Sequence, residues 1–181
     1  MNIFALHPNP QVAARWHTDK HVVKMILETA QLLSTAHRIL DKDMLSPIKD
    51  EMLYKKTHWN HPCAVWVRQS VANYNYAYRL LVELLQEFEY RYRHSHKTKL
   101  LLDCLKYPPI NTPSFDLTPF AQAMPDEFKD PDSVLAYRKY YNDGKAHLHS
   151  WSGRPVPPFI TRKEATNELS IKEGQNTQFQ V

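Results

Sequence analysis

The stretch Arg15-Trp16-His17-Thr18-Asp19-Lys20-His21-Val22-Val23-Lys24-Met25 sets two histidines and a carboxylate among bases at the start of an otherwise apolar run. Imidazoles and carboxylates within reach of one another are the groups that transfer protons or activate water. Asp19 is therefore the first candidate for carboxylate chemistry, with His17 and His21 as proton-transfer or orienting groups. Glu28 is the alternative acid, further along the same run. Wound at 100° per residue, Val22, Val23, Met25, Ile26, Leu27, Ala30, Leu32, Leu33, Ala36, Ile39 and Leu40 cover roughly two-thirds of a helix circumference. That arc is wider than a surface helix needs, so the helix is expected to be buried on several sides. Its narrow polar seam (His21, Lys24, Glu28, Gln31 and Thr35) faces either solvent or the wall of a cleft.

A second group of candidates could hold an anion. Tyr90-Arg91-Tyr92-Arg93-His94-Ser95-His96-Lys97-Thr98-Lys99 concentrates Arg91, Arg93, Lys97 and Lys99 with His94 and His96 and two tyrosines. Arginine and lysine neutralise phosphates, and tyrosines stack on exposed bases. The same residues also suit a helix C-terminus, where bases complement the macrodipole. In Thr57-His58-Trp59-Asn60-His61-Pro62-Cys63, Asn60 and His61 precede a proline that can open a helix, and free N–H groups at such a start can hold an anion. Lys24, Asn60, His61 and the Arg91–Lys99 cluster are thus the expected nucleic-acid contacts. Asn60 alternatively serves as a helix cap.

Other chemistries find little support. His17 and His21 are spaced to share a helical face, but HExxH and paired ExxH motifs are absent, and no metal is expected. There is no GxSxG, P-loop or GxGxxG, so no nucleotide cofactor is expected either. Cys63 and Cys104 form no CxxC and no disulfide framework. The net charge of +4 permits an anionic partner without requiring one. No signal-peptide pattern and no membrane-length apolar run occur, so a cytoplasmic protein without a membrane partner is expected.

The elements that must position these groups read as helices. Asn9 can cap a first helix from Pro10 to about His17, and the long apolar helix follows. Asp41 to Thr57 is polar and irregular. From Pro62 to about Tyr92 neither glycine nor proline interrupts, which predicts one helix of some 30 residues. A short helix from Lys97 must stop before Pro108-Pro109. After a proline-punctuated segment, Asp132 or Ser133 can cap a last helix reaching about Trp151, with Gly144 a possible interruption. The tyrosines of Ala136-Tyr137-Arg138-Lys139-Tyr140-Tyr141 suit core packing. The expected architecture is all-α: one compact helical domain over 1–161 built on two long helices, then a flexible polar tail over 162–181.

The string Asp19-Lys20-His21-Val22-Val23-Lys24-Met25-Ile26-Leu27-Glu28, with Asn60-His61-Pro62-Cys63-Ala64-Val65-Trp66 and Arg138-Lys139-Tyr140-Tyr141, resembles a family of small helical proteins of bacteriophages and environmental sequences. That resemblance implies no activity. The order of His17-Thr18-Asp19, then His61-Pro62 through Arg91 and Arg93, is similar to pyrimidine-dimer DNA glycosylases, which are small, basic and all-α. This second resemblance implies an N-terminal amine attacking the sugar C1′, with a carboxylate guiding bond cleavage. It also implies a DNA partner, and in the host cytoplasm if the chain is phage-encoded. Such enzymes expose a small residue after methionine removal, whereas Asn2 is bulky enough to keep Met1, which favours a hydrolytic route with Asp19 activating water. The function expected is excision of a damaged or modified base by an N-glycosylase. A non-catalytic phage accessory protein binding nucleic acid or a host protein, and an enzyme acting on a small nucleotide or modified nucleoside, stand as alternatives.

Overall fold

The computed structural model describes residues 1–161; the polar tail expected over 162–181 lies outside them. Among the described residues the regular structure is helical throughout, as the periodicity predicts. Helix α1 spans Pro10–Trp16, with the Asn9 side chain accepting from the Gln11 N–H and proline at the start. Helix α2 spans Asp19–Leu40 and is capped by the Thr18 hydroxyl. Its apolar arc is buried as expected: Val22, Ile26, Ala30, Leu32, Leu33 and Ala36 are wholly inaccessible to solvent. Only Val23 and Leu27 of the apolar residues in its first half are substantially exposed.

The region after α2 is less irregular than its composition suggests. Ser46 caps a one-and-a-half-turn helix, α3, over Pro47–Met52. The Arg38 guanidinium, reaching out from α2, binds the carbonyls of Asp50, Leu53 and Tyr54 and the Asp50 carboxylate. A short polar helix without a buried face is thus held by one arginine.

The single helix expected from Pro62 is two. Helix α4 covers Pro62–Gln69 and α5 covers Val71–Tyr92, with Ser70 extended between them at φ −154° and ψ 157°. The cause is hydrogen bonding that no periodicity reveals. The Ser70 hydroxyl caps Asn73 N–H and donates to the Asp116 carbonyl, while Val71 N–H donates to the Pro113 carbonyl. Asn73, fully buried, binds the Trp66 carbonyl and both the N–H and the hydroxyl of Thr118. The proline-rich segment therefore fastens to the break, and the break makes the pairing possible.

A 3₁₀ turn over Lys97–Leu101 leads into α6, Leu102–Leu105. Helix α7, Ser133–Lys139, is capped by Asp132. It is shorter than expected. A π-type turn over Tyr140–Gly144 and a 3₁₀ turn over Ala146–Leu148 replace its second half. Helix α2 lies at the centre, packed on α4 and α5, and α1 crosses α5. No helix among the described residues is long and apolar enough to cross a membrane.

The chain start is part of this core. Ile3, Ala5 and Leu6 are completely buried and Phe4 nearly so. Burying each of the three larger side chains contributes roughly 1.5–3 kcal/mol, which holds the first residues against α2.

Candidate functional site

Burial of the first residues brings the chain's first nitrogens to the polar seam of α2. Glu28 Oε2 accepts the Asn2 N–H at 2.9 Å and lies 3.8 Å from the Met1 amine. Its other oxygen is 3.5 Å from Lys24 Nζ, one turn earlier on the helix. The Glu28 side chain is 14% exposed and Lys24 is 68% exposed, so the carboxylate sits at the rim of the core with a mobile cation outside it.

Asn2 sets this geometry. Its Oδ1 accepts from the N–H groups of Ile3 and Phe4 and from the Tyr137 hydroxyl at 2.8 Å, while Nδ2 donates to the Ala123 carbonyl. Phe4 then takes a left-handed conformation at φ 39°, and its ring stacks on His21 at 4.3 Å. A phenylalanine at positive φ is strained, and the surrounding core holds it there.

His61 completes the neighbourhood. Its Nδ1 accepts from Cys63 N–H, so the histidine, and not Asn60, caps α4. Burial, the terminal amine and His58 lower the His61 pKa, and Glu28 acts in the opposite direction. Burial pushes the nearby Cys63 thiol up to about 11, which leaves it protonated and inert at neutral pH.

Several nominated groups have structural partners instead. Asp19 accepts from Arg91 Nη1, the Ser150 hydroxyl, and the N–H and hydroxyl of Ser152. Burial acts to raise its pKa, but the bonds from Ser150, Ser152 and Arg91 outweigh it and leave the carboxyl below its ordinary value. Arg91 is turned fully inward, correcting its expected place on a phosphate-binding surface. It pairs with Asp19 at 2.9 Å and Glu87 at 2.7 Å and binds the carbonyls of Arg15 and His17. Arg154 binds both oxygens of Glu87, sharing Oε1 with Arg91, so the segment around residues 150–154 is clasped to α2 and α5.

His17 is completely buried, its Nδ1 on the Ala13 carbonyl and its Nε2 without a partner, and burial lowers its pKa to about 4. His21 Nδ1 shares a 2.7 Å hydrogen bond with the Tyr141 hydroxyl, which also accepts the Thr18 N–H. Burial, with His17, Lys145, Lys24 and His147 around it, lowers His21 to about 3. Both rings are neutral packing and orienting groups near pH 7, and the proton transfer expected of them does not fit these surroundings.

The basic cluster divides in the same way. Arg93 ends α5 in a left-handed conformation, with its guanidinium over the Tyr90 ring. His94 and His96 set their edges on Phe88, and His96 caps the next turn. Lys99 pairs with Glu89 at 2.8 Å. Arg93 and Lys97 remain exposed. A groove of about 920 Å³ between His7–Gln11 and Tyr78–Glu83 is lined by none of the nominated residues.

What the sequence reading missed is the contribution of the chain start and of Tyr137 and Tyr141. Their i, i+4 spacing places both hydroxyls on one face, one for Asn2 and one for His21, a signal that was present but read as packing alone. The chain matches no known protein family, no curated protein and no solved structure in comparison.

Proposed function

We propose that this protein is a DNA-acting N-glycosylase that removes a damaged or modified base, with Glu28 rather than Asp19 as its working carboxylate. One observation carries the reading: a largely buried carboxylate lies 3.8 Å from the Met1 amine, with Lys24 at its outer edge. The Met1 amine is the nucleophile of the first route. Its lone pair forms a bond to C1′ as the C1′–N glycosidic bond breaks. The base leaves with the electron pair of the broken C1′–N bond and takes a proton from water; the amine gives a proton to the carboxylate, which passes it to O4′ as the C1′–O4′ bond opens to leave the imine that borohydride reduces. A hydrolytic route uses the same carboxylate to take a proton from water. In either route a negative charge at this place stabilises the cationic sugar of the transition state. Lys24, exposed and 3.5 Å from the Glu28 carboxylate, supports the reading as a phosphate contact beside the reacting groups.

The test is base release from duplexes carrying candidate lesions and phage-type modified bases, with borohydride added in parallel. Glu28→Gln is expected to fold and bind as the parent does while release falls by roughly two to four orders of magnitude. Trapping of DNA at the first residue, whose identity intact mass reports, assigns the amine route. Release without trapping assigns the hydrolytic one. Undiminished release by Glu28→Gln, or no release from any substrate, overturns the proposal.

A further inference from the structure

The loop joining α3 to α4 carries a feature that the carboxylate site does not use. Trp59 stands at its tip, 50% exposed, although an indole is among the costliest side chains to leave in water. The loop is well fastened. Thr35 and Thr57 exchange hydrogen bonds, His61 N–H donates to the His58 carbonyl, and Arg68 Nη2 donates to the Trp59 carbonyl at 2.9 Å. His58 takes a left-handed conformation at φ 44° within it, and a strained residue persists only where its surroundings hold it. The indole is therefore presented on a rigid support.

Cations stand beside it, with Asp50 and Glu51 in the groove that Lys55 and Lys56 line. The Lys56 ammonium lies 5.9 Å from the centre of the Trp59 ring. Arg68 brings a second charge beneath the loop, and its Nη1 is buried without a hydrogen-bond partner. From Met52 to Val82 the chain contains no aspartate or glutamate, so Lys55, Lys56 and Arg68 face no acid on their own stretch. A flat aromatic beside cations matches a nucleotide: the ring face away from Lys56 takes the base and the cations take the phosphate. The same loop contains His61, which senses both Glu28 and the terminal amine.

We propose that Trp59 is a stacking platform for an unpaired nucleobase of the DNA strand, with Lys56 and Arg68 supplying charge for the flanking phosphate. The assignment rests on the DNA-acting reading above for its polymer, but not on base release.

Anisotropy of a fluorescein-labelled single-stranded deoxyadenosine 12-mer, titrated with the full chain across salt concentrations, provides the test. Trp59→Ala is expected to weaken binding by roughly five- to 100-fold with an unchanged salt slope, because stacking releases no counterions. Trp59→Phe keeps a stacking face and is expected to recover most of the affinity. Lys56→Ala is expected to reduce the salt slope by about one counterion. Equal affinity of Trp59→Ala and parent, equal losses in Trp59→Ala and Trp59→Phe, or no binding of the single strand by the parent would each overturn the platform. Base release measured separately on duplex distinguishes the two proposals. Glu28-dependent release with an inert Trp59 removes the platform alone, and Trp59-dependent binding without release removes the glycosylase alone.

Discussion

Asn2 and Glu28 are joined by a hydrogen bond from the backbone N–H of one to the carboxylate of the other, 2.9 Å long and spanning 26 residues of sequence. It fixes where the chain starts. The Asn2 side chain anchors the same residue from the other side through Tyr137 and Ala123.

Asn2→Ala is expected to lower stability by about 2–4 kcal/mol, since buried donors at Ile3 and Phe4 lose their acceptor. Urea unfolding measures this. If the proposed chemistry depends on the position of the first nitrogen, base release falls further than the unfolded fraction accounts for.

Asp19→Asn separates a clasp from a catalyst. The variant leaves the fully buried Arg91 with Glu87 as its remaining acidic partner and weakens the attachment of Ser150 and Ser152. A loss of about 2 kcal/mol is expected, the scale of a charge-assisted hydrogen bond, with base release unchanged where the protein is folded. A specific loss of release at full stability would return the catalytic role to Asp19. Because the Asp19 and Glu87 carboxyls are held below their ordinary values, their contribution is present above about pH 4 and disappears as pH falls through their folded values. Asp19→Asn is expected to flatten that acidic limb.

The buried histidines predict a second, higher pH dependence. Burial holds His17 and His37 down to about 4 and His21 to about 3, whereas in the unfolded chain each imidazole titrates near its ordinary value of about 6.5. Between those limits the unfolded state binds more protons than the native one, so stability falls as pH drops from about 6.5 towards 4. Near pH 5 the slope of unfolding free energy against pH is expected to approach three protons. Replacing His21 by phenylalanine is expected to remove about one of them, and an unchanged slope would show that His21 is not held neutral.

Among the described residues, Arg93 and Lys97 are the exposed members of the basic cluster outside any ion pair, and Lys99 shares its charge with Glu89. Replacing Arg93 and Lys97 by alanine is expected to reduce the salt slope of DNA binding by about two counterions. Arg91→Ala is expected instead to destabilise the protein, because Glu87 and Asp19 lose the cation between them and the carbonyls of Arg15 and His17 lose their donor. Thermal melts distinguish the two outcomes.

The local grammar of the chain was legible. Asn9-Pro10 and Asp132 begin helices where their cap chemistry says they should, and the apolar arc of α2 is buried because one helix surrounded by others leaves only a seam for polar groups. Of the polar residues along that seam, Lys24 and Glu28 form an ion pair at 3.5 Å beside the chain start. What periodicity could not supply were contacts between distant segments. Ser70 breaks a helix that nothing nearby forbids, because Pro113 and Asp116 compete for its backbone and hydroxyl. Asp19 and Arg91 look like free chemistry in sequence and become each other's partners only when α2 and α5 pack, since a buried charge must be neutralised. The burial of Ile3 to Leu6, which carries the terminal amine to Glu28, likewise depends on a slot between helices that exists only once they have assembled. Side-chain type and spacing determined the helices and their buried faces; packing decided which charged groups were consumed as clasps and which stayed available for chemistry.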